Sequence, residues 1–313
     1  MVMLRWLLAS QPASNFVLFS GGSTTAGTRP AISSSEKYLI DSDSVISATS
    51  LGTARHSAGS SFIGNRTSSF VLGGLQDFST APYSTAETYV FANNTYSSAS
   101  SITTARSRYA ASSALEFGLI ATGDNAAFTA YVLTSEKYTF SSQSSSSGTS
   151  LTGTARISAG GAGNLTLGLF TGGLTAANIA QTTSNKYTYS TDVVSSGTAL
   201  STGRYNHTAT STPSIAYFGG GTLLSTQTAN VDKYTFASDS ISSGTNLSGS
   251  ARQVLASSGN AYKGIFAGGL NSSGVYVNQV SVYTYNGDTV AAGTVLATAR
   301  ALHGGICSYP GHL

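Results

Sequence analysis

Three of the four histidines keep fixed distances from a recurring arginine: His56 follows Arg55 directly, while His207 and His303 lie three residues after Arg204 and Arg300. Imidazoles at repeated places, in a chain with 17 tyrosines, could hold a transition metal if they converged. A carboxylate pair for acid–base hydrolysis could come only from Asp41, Asp77, Glu116 and Asp124, the acids that no repeat accounts for. Cys307 is the only cysteine, which excludes an internal disulfide framework and a cysteine-based zinc site. No nucleophile elbow, phosphate-binding loop or calcium-loop pattern occurs. No catalytic constellation, metal or cofactor is expected.

These residues sit in a repeat. Ala-Arg or Gly-Arg recurs at Arg55, Arg106, Arg156, Arg204, Arg252 and Arg300, with spacings of 48 to 51 residues, which defines six units. Each has an apolar run ending in Gly-Gly, or Gly-Asp at Asp124, followed 14 to 16 residues later by a tyrosine: Tyr38, Tyr89, Tyr138, Tyr187, Tyr234 and Tyr283. A small-residue strand after the arginine, a strand into the glycines, a tyrosine strand and a Ser/Thr-rich strand make four per unit. Four evenly spaced strands per unit are the pattern of propeller blades. The fold class expected is all-β, a six-bladed propeller.

The chain ends complement one another. ALHGGICS after Arg300 reads as an innermost strand, whereas FVLFSGG near the start reads as a second strand. Residues 301–308 are expected to complete blade 1 with residues 15–51. The other blades are 56–102, 107–151, 157–200, 205–247 and 253–296, with an arm over 1–14 and a tail over 309–313. In the arm, Leu4, Trp6 and Leu8 alternate as in an extended strand laid on a partner. Its apolar run is too short for a membrane span.

The diglycine and the tyrosine resemble those of the kelch propellers over residues 15–308. That family carries a tryptophan after the tyrosine, and here Val45, Tyr96, Ser145, Val194, Ile241 and Val290 stand seven residues on. Units of the form DKYT…GTSL…TAR are similar to a bacterial or bacteriophage kind of kelch-like array. Copper oxidases of the galactose oxidase type share the kelch propeller and use His and Tyr ligands. Here the histidines fall in blades 2, 5 and 1, and no counterpart of that enzyme's cysteine-modified tyrosine exists.

The 313 residues include 54 Ser, 40 Thr and 35 Gly but only 27 charged residues, with a net charge of +3 and no Lys/Arg cluster. Such a chain lacks the electrostatic footprint for nucleic acid or anionic membranes. Eighteen of the 27 charges recur at equivalent blade positions, which marks them as glue between blades. Binding is expected on the loops that follow the second strands, since they differ in every unit. Their aromatics are Phe78 and Tyr83 in blade 2, Phe128 and Tyr131 in blade 3, and Tyr276 in blade 6. Arg108, Tyr109, Tyr205, His207 and His303 are expected at the channel mouth. The function expected is a non-enzymatic structural and interaction propeller of a virion (tail, fibre or surface decoration) or a cell surface. It would be part of a larger assembly or homo-oligomer, touching other virion or surface proteins or glycans. The alternatives are an extracellular carbohydrate-binding lectin and, behind it, a copper oxidase.

Overall fold

The computed structural model describes residues 15–59, 62–125, 128 and 130–308. The arm residues Leu4, Trp6 and Leu8, and the tail, lie outside these. The described residues form six four-stranded antiparallel sheets without a helix. From the axis outward, blade 1 consists of Gly304–Cys307, Phe16–Ser20, Ser35–Leu39 and Ser44–Ala48. Val17 pairs with Cys307 and Ser20 with Gly304, so the two ends of the chain share one sheet and close the ring. The other innermost strands are Ile63–Gly64, Ala110–Ser113, Gly160–Gly163, Thr208–Ser211 and Ala256–Gly259.

Small residues gather in these strands because neighbouring blades meet there backbone to backbone. A Cβ at Gly161 would lie 2.2 Å from the Ala111 carbonyl oxygen. Hydroxyls bridge the same seam: Ser211 donates to the Gly163 carbonyl and Ser257 to the Ala209 carbonyl, both at 2.7 Å. The serine that solvates the outside of the molecule thus also joins its centre.

The tyrosines of the third strands are at most 1% exposed, and Tyr187 faces Gly168 on one side and Val194 on the other. The six repeat arginines are at most 2% exposed. Arg55 donates to the carbonyls of Gly73 and Thr85 and pairs with Glu87 at 2.9 Å; Arg300 does the same with Gly21, Ser34 and Glu36. Each arginine therefore ties the loop entering one blade to the sheet of that blade. A second clasp lies near the rim. Asp239 accepts from Tyr234 of its own blade and pairs with Lys186 of the preceding one, and Asp288 repeats this with Tyr283 and Lys233. The glue assigned to the recurring charges is seen in both clasps.

Blade 3 departs from the expected register by one residue. The pair at the end of its second strand is Thr122–Gly123, with φ of 64° and 102°, matching Gly21–Gly22 at 68° and 94°. Asp124 is consequently not a turn residue replacing glycine. It stands where Leu75 and Thr222 stand in blades 2 and 5, bridged to Ser107.

Candidate functional site

Two residues after each repeat arginine the chain turns into the innermost strand with a left-handed residue: Ser57, Arg108, Ser158, Asn206, Val254 and Leu302, φ between 51° and 61°. Each donates its N–H to the carbonyl of its counterpart in the preceding blade. Arg108 donates to Ser57, Ser158 to Arg108, and so on round to Leu302, which donates to Val254 and accepts from Ser57, all at 2.8–2.9 Å. The result is a closed circle of six backbone hydrogen bonds around one mouth of the channel. Inside it lies a pocket of about 40 Å³ with Arg108, Asn206 and Leu302 on its wall.

The next residue of the blade also borders this pocket, at Tyr109, His207 and His303, each almost wholly buried. Tyr109 is 3% exposed and donates to the Leu72 carbonyl at 2.6 Å. His207 lies under Gly172 with Nε2 3.1 Å from Thr171 Oγ1, and His303 lies under Gly268, edge-on to Phe19 at 5.6 Å. These rings are wedges between blades, at a position filled by Ala159 and Leu255 elsewhere. Burial, reinforced by Arg204 and Arg300 respectively, holds both imidazoles well below their usual range. His56 is buried separately, its pKa lowered to about 4 by burial and by Arg29. No group of three His, Cys, Asp or Glu among the described residues could hold a metal ion. The histidines thus reach the lining of the mouth without presenting an open imidazole there.

The loop aromatics divide as well. Tyr276 is buried at 7%, bridged to Leu270, and Tyr205 is half-buried and bridged to Thr222. Phe78, in contrast, is exposed at 37% and occupies the centre of a cluster. It rests on His56 at 4.9 Å, with the Arg29 guanidinium 5.1 Å and the Arg108 guanidinium 6.0 Å from its ring centre. Arg108 also reaches Tyr131, 5.9 Å away, and is fixed by two 2.6 Å bonds to the buried carboxylate of Asp124. Tyr83 is half-buried, donates to Gln76 and covers Arg55 at 5.4 Å. Phe128 is half-buried at a left-handed turn position, its N–H bonded to Asn125.

Blades 1, 2 and 3 therefore combine in one patch that is not repeated elsewhere among the described residues. The structure joins Phe78, Arg108 and Tyr131 of the expected residues and adds Arg29, which stands outside the repeating arginines. Arg29 lies 49 residues before Phe78, in the loop of another blade, and the Ala31 N–H bonded to the Gln76 carbonyl holds the two loops together. Its one sequence signal was position, since loops following the second strands of adjacent blades share a face. No protein-family model matches this chain, and no curated protein matches it in sequence.

Proposed function

We propose that this six-bladed propeller is a non-enzymatic interaction module of kelch-like type, carried on a bacteriophage virion as a tail, fibre or decoration protein. The observation that supports this is the use of its charges. The repeating ion pairs hold blades together, and of the eight described ion pairs only Arg108–Asp124 lies outside the repeating clasps. That pair belongs to a patch of arginines laid on aromatic rings, which is chemistry for recognition and not for bond cleavage. The buried and separated histidines weigh against the copper oxidase. Antibody against the chain should label purified particles of its source at constant stoichiometry. Recovery only in the soluble fraction would overturn the virion placement.

A second reading, a carbohydrate-binding lectin, is favoured by the partly exposed Tyr83, over Arg55, and Tyr131, beside Arg108. Glycan-array binding lost in Tyr83→Ala and Tyr131→Ala, with unchanged melting, would support it. An array without signal would sink it.

A further inference from the structure

We infer that the patch formed by Arg29, Phe78, Arg108 and Tyr131 binds a saccharide carrying a carboxylate, that is, a pyranose acid within a glycan. The inference rests on the reading of this chain as an interaction module and names the ligand class of that module. The charge comes first. Two guanidiniums approach one exposed phenyl ring; Arg108 is already paired with Asp124, and Arg29 is the one left to meet a ligand's charge. Asp124 accepts from Ser107 and Arg108, and Asp77 accepts from Ser79 and Thr80 in its own turn. Arg29 donates Nε to the Ala26 carbonyl, and no carboxylate of the described residues lies within ion-pair distance of it. A guanidinium held on an aromatic face, with donors to spare, is matched by a carboxylate.

The backbone then argues for a saccharide over an acidic peptide. An extended peptide gains affinity from main-chain bonds to an open strand edge. At this mouth the N–H and C=O of Ser57, Arg108 and their four counterparts are consumed by one another, so these six positions offer a peptide no open strand edge. Flat rings and charged forks suit the apolar face and the acid group of a pyranose. A phosphate polymer would need a stripe of cations, and only two stand here.

The loops on this face carry a further mark. Phe128, Asn178 and Gly274 each donate their N–H to the carbonyl three residues earlier, that of Asn125, Thr175 and Asn271 respectively. All three sit in the left-handed region, where Asn and Gly are at ease and a phenylalanine is not. Leu224, 78% exposed, takes the left-handed first position of the two-residue turn joining Leu223 to Thr226. Bulky residues kept where the backbone prefers glycine point to selection for the side chain.

The test is calorimetric titration of the full chain with sialyllactose, a trigalacturonate and their neutral counterparts, lactose and α-1,4-galactotriose, at low and high salt. Binding of one or both acids, weakened by salt, reduced about tenfold or more in Arg29→Gln and in Phe78→Ala, is the expected result. Thermal melting of both variants must match the parent, and Arg66→Gln on the opposite face must bind as the parent does. Equal binding of the neutral sugars would overturn the inference and leave the lectin reading standing. Binding of none of the four, with an acidic peptide bound instead, would overturn it in favour of a protein ligand. Binding of none of the probes would overturn it and leave particle labelling to decide the structural role.

Discussion

Arg156 and Arg252 are the two fully buried guanidiniums that face no carboxylate. Where blades 1, 2, 3 and 5 place Glu36, Glu87, Glu136 and Asp232, blade 4 offers the Asn185 amide oxygen at 2.5 Å and blade 6 the Ser281 hydroxyl at 2.8 Å. Burial accordingly lowers both arginines to about 10. Asn185→Asp should supply the missing charge and raise stability by about 1–2 kcal/mol in urea unfolding, whereas Glu87→Gln, which strands Arg55, should cost about 3–5 kcal/mol. A neutral or negative effect of Asn185→Asp would mean that its desolvation outweighs the pairing. The buried histidines make a second prediction at this scale. His56 titrates near 4 in the fold and near 6.5 in the unfolded chain, so between these values the unfolded chain binds more protons. Stability is complete above about pH 6.5 and falls as pH is lowered toward 4, with His207 and His303 carrying the fall further down. His303→Leu, copying Leu255 of blade 6, should make the melting temperature less sensitive to acid over this range; an unchanged acid profile would exonerate His303.

Turns show most clearly what the backbone asks of single positions. Leu224→Gly should raise stability by about 0.5–1 kcal/mol, because the left-handed first position of its turn suits glycine. A loss on denaturant unfolding would mean that the leucine contributes packing. The same element scale shows why some features could be read from sequence and others could not. The arginine and tyrosine positions were legible because each is buried to the same depth six times, and packing tolerates few substitutes. The register of blade 3 was not: Gly123–Asp124 looks like a diglycine with one replacement, while the backbone puts the β-branched Thr122 in the left-handed region. The neighbours of Phe78 were hidden for a different reason. Contacts between loops of two blades depend on how tightly adjacent sheets are rotated against each other, and a one-dimensional spacing does not carry that angle. Tyr109, His207 and His303 border the pocket at the mouth, but the turn two residues after the arginine leaves their rings wedged between blades and almost wholly buried.

At the scale of the whole molecule, closure rests on the pairing of Gly304–Cys307 with Phe16–Ser20. Ending the chain after Arg300 removes that strand and exposes the edge of blade 1, and unfolding should lose its single cooperative transition. A retained single transition with the parent's denaturant dependence would show that five complete blades and a partial one suffice. The circle of backbone bonds at the mouth has its own consequence for how the amides meet solvent. The six donors, at residues 57, 108, 158, 206, 254 and 302, lie in bends outside the blade strands, where isolated amides exchange with deuterium quickly. Because each is locked by the blade before it, no blade can release its amide alone without disturbing a neighbour. The six should therefore exchange as one slow set, at the rate of global opening, and behave as a built-in clock for the integrity of the ring. Six unrelated rates would reveal that the blades breathe one at a time.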